Sequence, residues 1–522
     1  VRLDRSASLD DGTGDSLGLY PRASFRVVRG EHADDATIPQ ARWYFAKETV
    51  AVPAAGLPVA QFSRGVRTQD DVRRWARERP VDASLAYPPL VWIAAPEVVR
   101  HAQLSADARR LAYGGNQRIG LELVPKHALN RSYFDPSSAR FFARRRVKLR
   151  GARDGDRFVA RTLWPEDFAL AEAPPLRPLN AALPAQRALR ELVREAPQGG
   201  ARGPFDAWTL WRRDDRVRMR GGYVLALILT GAQGDDDEAH AGHFALATGR
   251  LDADGAIGDW LVDNFYALDS ESEKGIIGAP VPLDNYLADL NAGQNWYRPA
   301  ALFVAALRHA RAAELVQGAI NRVYNQFYRH QLHYDHAAMN CTGISVDTLR
   351  TLGLVIARRI PAWRPLAPLA LPLLLATERS IAGARRAYDY ATEDATRLLP
   401  AAAFEEIGAS LIALAERSRA PRGELAALLA DDTDALVFAR IPQLPSSRVF
   451  GDAPVVELRE YHARLPARRA DMKIIPVPPR PFPAELREGD LLPAPWRRSS
   501  TAIALWLAIV VAAVTVALYL AS

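Results

Sequence analysis

Met339-Asn340-Cys341-Thr342-Gly343, with Ile344, Val346, Leu349 and Leu352 following at helical spacing, reads as a cysteine at or just before a helix N-terminus, with Gly353 as the stop. The partial positive charge and free N–H groups there favour thiolate over thiol and offer donors to an oxyanion. The competing reading is a small buried hydrophobe. Upstream, Gly242-His243-Phe244-Ala245-Leu246-Ala247 reads as an apolar strand headed by a histidine. A second strand, residues 260–268, follows a turn around 252–258, so the hairpin brings Asp263-Asn264-Phe265 near His243. A cysteine nucleophile needs an imidazole to take its proton, and the imidazole needs a polar group to fix its tautomer. Cys341, His243 and Asn264 supply those roles. Asp263 is the rival orienter, since strand alternation aims only one of the two at His243. His240 is the rival base, and His243 is preferred because it heads the strand.

Gly242-His243, Asn264-Phe265 and Asn340-Cys341-Thr342 occur in that order, with Tyr297-Arg298-Pro299 and residues 324–334 between the last two. In this the chain resembles the Lnb N-terminal periplasmic domain family over roughly residues 220–355. Histidine first and cysteine last is similar to circularly permuted papain-fold enzymes of the NlpC and lecithin:retinol acyltransferase kind. The resemblance implies an α+β, permuted papain-like catalytic domain and a thiol-dependent enzyme without cofactor. Its namesake branch moves an acyl chain within bacterial lipoproteins. The implied substrate is therefore a lipid or lipoprotein, processed through an acyl-thioester on Cys341. The oxyanion would rest on the Cys341 N–H and the Asn340 side chain. The same Cys–His pair would serve a peptidase or amidase acting on cell-wall peptide. A scaffold that keeps the fold for binding would instead hold Cys341 buried with no imidazole in reach.

The 522 residues are enough for several domains. A hydrophobic fraction of 49% with 24% charged residues excludes wholesale disorder. One cysteine excludes an intramolecular disulfide framework and a four-cysteine metal site. Only Lys47, Lys126, Lys148, Lys274 and Lys473 are lysine among 67 basic residues. The arginine excess thus reads as codon bias from a GC-rich genome, and no nucleic-acid partner is expected. His330, His333 and His336 repeat every three residues, a spacing that would set up a zinc site on a helix. The preferred reading packs this stretch beside the active site with His336 or His333 lining it, and no metal. The acidic run 235–238 lacks the ligand pattern of a calcium loop. Trp296 and Tyr297 are cleft or core candidates.

The expected organisation is an N-terminal mixed α/β domain (1–164), a Pro-rich linker and short helix (165–199), the catalytic domain (200–355), a helical subdomain (356–440), a stiff Pro-rich arm (441–499) and a C-terminal transmembrane helix (500–522). In the first domain, 24–28, 90–93 and 119–124 read as strands, and 70–79 and 106–113 as helices. Its cluster Arg144, Arg145, Arg146, Lys148 and Arg150 reads as a solvated face, with lipid head groups as the alternative partner. The run 366–376 is too short and proline-interrupted to span a bilayer. Ala502 to Leu520 is 19 residues broken only by Thr515, which matches a bilayer span and makes the lipid bilayer a partner. Trp496, Arg497 and Arg498 on its N-terminal flank favour a cytoplasmic body. The resemblance favours a periplasmic one. Residues 1–20 are polar and acidic, with no signal-type apolar core.

Overall fold

The apolar runs Tyr223–Thr230, His243–Arg250, Ala300–Leu307 and Thr433–Ile441 are buried almost residue for residue, the signature of strands covered on both faces. In the computed structural model they form the centre of a seven-stranded antiparallel sheet. The structure describes residues 16–32, 39–54, 65–79, 85, 88–114, 117–125, 133–196, 200–215, 217, 219–231, 242–266, 277–291, 298–332, 334–472 and 481–487. The spatial order of the sheet is Asp206–Arg212, Thr433–Ile441, Ala300–Leu307, Tyr223–Thr230, His243–Arg250, Leu261–Asp263 and Pro280–Pro282. Helices Arg311–Tyr328 and Pro400–Ala415 cover it. Gln317 of the first accepts a bond from Thr248 at 2.6 Å, and Phe404 of the second packs edge-on against Phe303.

The chain is thus α+β, as expected, but the boundaries move. Residues 356–440 are not a separate helical subdomain, because Thr433–Ile441 pairs with strands on both sides and Pro400–Ala415 lies on the sheet. Pro-rich residues 174–177 are not a free linker: Leu176 bridges Thr209, and Arg177 N–H bonds the Thr209 carbonyl at 2.8 Å. Nor does the 441–499 arm lead straight away. Phe482 folds back, 4% exposed, and stacks on His330 with ring centroids 4.5 Å apart.

The N-terminal region holds a three-stranded sheet (Phe25–Arg29, Thr49–Pro53, Val91–Trp92) and a closed five-stranded barrel. The barrel order is Arg157–Pro165, Gln117–Leu123, Arg110–Tyr113, Glu97–Leu104, Val147–Asp154. Residues 106–113, read as helix, instead end in the strand Arg110–Tyr113, because hairpin pairing with Gln117–Leu123 overrides a local helical pattern. The basic cluster also divides. Arg144 and Arg146 are exposed and Arg145 pairs with Asp167, but Lys148 and Arg150 are only 2% and 1% exposed. Lys148 Nζ lies 2.5 Å from Asp259 and 2.7 Å from Asp284, and Arg150 reaches the same two carboxylates at 3.1 and 3.0 Å. Arg100 adds a third cation to Asp259 at 2.6 Å. Burial pushes the Lys148 ammonium down to about 8. Burial also opposes ionisation of Asp259, but its three cations hold the carboxyl well below the usual range. This network joins the barrel to the loop that leads into Asn264.

Candidate active site

Gly242 must be glycine. Its φ is +92°, and a Cβ there would stand 2.2 Å from the Thr230 carbonyl oxygen. That close approach starts the pairing of His243 with Thr230 and sets the imidazole at the head of its strand. On the neighbouring strand, the chain runs from Leu261–Asp263 into Asn264, whose side-chain oxygen lies 2.8 Å from His243 Nε2. The Asn264 amide nitrogen donates to the Ile277 carbonyl at 2.7 Å, so its oxygen must face the ring. An acceptor at Nε2 places the hydrogen there and leaves Nδ1 as the basic nitrogen. Tyr324 Oη donates to the Asn264 carbonyl at 2.7 Å, and Tyr266 stacks on the imidazole at 4.5 Å. Both hold the pair in one orientation.

Cys341 opens the helix Cys341–Thr351 and is 5% exposed. Burial alone would push its thiol up. The charge of His243 and its hydrogen bond to the sulfur pull the other way, with smaller help from the Phe244 N–H and the Thr342 hydroxyl. The balance lowers the thiol from 9.0 to about 7. With Nε2 on Asn264, Nδ1 is the nitrogen left for the thiol. Cys341, His243 and Asn264 are therefore brought together, with the imidazole between the other two.

The other candidates fare differently. Asp263 points away: its Oδ1 accepts from Gln317 Nε2 at 3.1 Å, and its carboxyl is 0% exposed. Burial pushes that carboxyl up to about 8, so it is protonated at neutral pH. The expectation of an oxyanion contact from the Asn340 side chain is corrected. Asn340 is the helix N-cap: its oxygen accepts from Gly343 N–H at 2.7 Å, and its amide nitrogen donates to the His336 and Leu398 carbonyls at 3.1 and 3.0 Å. Both of its donor hydrogens are committed, so it holds the helix and not the oxyanion. His336 is exposed and sits edge-on to Tyr334 at 5.2 Å, at the rim.

The zinc reading required His330, His333 and His336 on one helix. The helix ends at Tyr328, His330 has left-handed φ, and no cluster of three metal-ligating side chains occurs among the described residues. His240, His333, residues 235–238, Trp296, Tyr297 and the run Ala502 to Leu520 lie outside the described residues. Among the described residues no helix is long and apolar enough to cross a membrane.

Sequence reasoning missed Tyr334 and Tyr286. The buried Tyr334 phenol interacts electrostatically with the Cys341 thiol and with the Cys341 backbone N–H, the group expected to face an oxyanion. Burial, reinforced by the charge of Cys341, keeps this phenol neutral and able to donate. Tyr286 bonds Thr230 and tilts against His243 at 6.4 Å. Tyr334 lay within the aromatic stretch leading to Cys341, but nothing local could say which ring reaches the sulfur. Searches among known proteins leave this geometry to stand alone: no family model, no curated protein and no solved structure matches the chain.

Proposed function

We propose that the chain is a membrane-anchored, thiol-dependent acyl transferase or hydrolase of the permuted papain-like kind, acting on a lipid or lipoprotein ester or amide. One observation carries this reading: a single imidazole lies between a cysteine thiol at a helix N-terminus and an asparagine oxygen, with the thiol lowered to about 7. The resemblance to the Lnb N-terminal periplasmic domain family supports the choice of substrate.

In the proposed reaction, His243 Nδ1 takes the Cys341 proton and Asn264 supports the Nε2–H of the imidazolium. The thiolate forms a C–S bond at the carbonyl carbon, and the carbonyl electron pair moves to oxygen. That oxygen turns to the Cys341 N–H and the Tyr334 hydroxyl. Collapse breaks the bond to the leaving alcohol or amine, which takes the proton from His243, and leaves an acyl-thioester. Water or an amine, deprotonated by His243, then attacks the thioester, and the thiol regains its proton as it leaves. The test is turnover of long-chain acyl esters and of a diacylated lipopeptide by the wild type and the Cys341→Ser, His243→Ala and Asn264→Ala variants. Loss in the first two and a partial loss in the third supports the reading. Unchanged turnover in either of the first two ends it, and activity on a cell-wall peptide alone would move the substrate to the peptidase class.

A further inference from the structure

Between the catalytic helix and the sheet-covering helix Pro400–Ala415 the chain makes an excursion, and its two legs are tied together. Ala395 N–H bonds the Arg359 carbonyl at 2.9 Å and Thr396 Oγ1 the Ala357 carbonyl at 3.0 Å. Arg350 reaches both legs, at the Ile356 carbonyl (3.2 Å) and the Asp394 carboxylate (3.1 Å). Beyond the legs lie a 3-10 turn Arg364–Ala370, a helix Leu371–Glu378, a reversal at Arg379 with φ +50° capped by Ser380, and a helix Ile381–Thr392.

Among the described residues, most of the apolar side chains of this excursion are left exposed. Of the ten large hydrophobic side chains that stand exposed among the described residues, eight lie within 355–390. They include Trp363 at 44%, Leu366 at 64%, Leu369 at 62%, Leu373 at 66% and Ile381 at 81%. The helix Leu371–Glu378 reads Leu-Pro-Leu-Leu-Leu-Ala-Thr-Glu, and none of its residues is buried. A helix apolar on every side is stable inside a core or inside lipid, not in water. At 1.5 Å per residue it is about 12 Å long, far short of the ~30 Å of a hydrocarbon core, so it can enter one leaflet but not cross. The surrounding charge selects the lipid. Arg358, Arg364, Arg379 and Arg386 form no ion pair among the described residues, and Glu378 and Asp389 are the only acidic residues in 358–390. A leucine face rimmed by unpaired arginines is complementary to an anionic bilayer surface.

We propose that residues 360–392 are a monotopic hairpin that sinks its leucine face into one leaflet of an anionic bilayer. Its return leg is rigidly joined to the catalytic helix. Arg397 clasps Asp347 at 3.1 Å and the Ala338 carbonyl at 2.8 Å, and the Leu398 carbonyl holds the Asn340 cap. Docking the hairpin therefore fixes the height of Cys341 above the lipid. The docking does not depend on the thiol chemistry proposed above, and it adds a lipid contact separate from Ala502 to Leu520.

The test uses the full chain with Cys341→Ser, which removes the only native thiol and makes the result independent of catalysis. Leu373→Cys in that background carries an environment-sensitive fluorophore. Tyr133→Cys, at a 57% exposed position of the N-terminal region, is the reference site. Each protein is reconstituted into vesicles of phosphatidylcholine alone or mixed with phosphatidylglycerol. The expected result is a blue-shifted emission at position 373, quenched by acyl-chain nitroxide lipids, while position 133 stays aqueous. Quenching should be stronger with phosphatidylglycerol, and weaker with the Arg379→Glu and Arg386→Glu changes or with added salt. Aqueous emission at 373 in both vesicles overturns the proposal. So does a blue shift that acyl-chain quenchers do not reach, which would mean that the chain's own terminal run or a second copy covers the face. Equal quenching in both vesicles overturns the anionic preference.

Discussion

Replacing His243 by alanine should move the titration of Cys341 by a readable amount. In the wild type the thiol ionises near 7 because the charge and hydrogen bond of His243 outweigh burial. Without the ring only burial and the minor donors at Phe244 and Thr342 remain, and the midpoint should return to 9.0 or above. At pH 6 a thiol titrating near 7 is roughly 9% thiolate and one near 9 roughly 0.1%, a difference of about 100-fold. A more basic thiolate is the better nucleophile, which with a Brønsted slope near 0.45 returns about 8-fold, so the rate at pH 6 should fall by about 10-fold. The assay is the rate of iodoacetamide labelling from pH 5 to 10, clean because Cys341 is the only cysteine. The midpoint is the decisive reading, since the cavity left by the ring changes reagent access at every pH alike. A variant that keeps its midpoint near 7 would show that the helix N-terminus alone activates the sulfur, and would remove His243 from the proposed mechanism.

Asn264→Ala should leave the labelling midpoint closer to wild type than His243→Ala does, yet lower acyl-ester kcat by about 10-fold or more, because Nδ1 is then basic only part of the time. Tyr334→Phe should lower kcat by about 100-fold with little change in KM if its hydroxyl meets the oxyanion, and steady-state kinetics would separate the two constants. Asp263 carries a proton in the folded chain up to about 8, whereas the unfolded carboxyl loses it above 3.8. The unfolded state thus binds fewer protons through that window, and stability falls as pH rises from about 4 to 8. Asp263→Asn should flatten that slope in melting experiments across the same range. Asp259→Ala removes the carboxylate that Arg100, Lys148 and Arg150 share, leaves Asp284 alone to face the two buried cations, and should cost about 3 kcal/mol or more in denaturant unfolding.

The parts of the site that were legible in the sequence are those fixed by local rules. A glycine before an apolar run and an asparagine before a helical pattern locate His243 and Cys341, because turn geometry and capping depend on a few adjacent residues. The choice between Asn264 and Asp263 was not local. It rests on which face of a three-residue strand meets Gln317, and on the Ile277 carbonyl that orients the amide. Asn340 read as an oxyanion contact until the Leu398 carbonyl, 58 residues away, took its second hydrogen.

Thr433–Ile441 shows the same division. It read as part of a helical stretch, and its place as a strand between two others from earlier in the chain is decided by pairing across more than a hundred residues. Lys148 and Arg150 read as surface charge until Asp259 and Asp284 came to meet them. By itself the sequence determined some of the elements, among them the His243 strand and the Cys341 helix, because backbone preference, periodicity and capping act within a few positions. Tertiary structure alone decided which polar groups face one another and which leucines are left without cover, because each outcome depends on segments that only the folded sheet brings together.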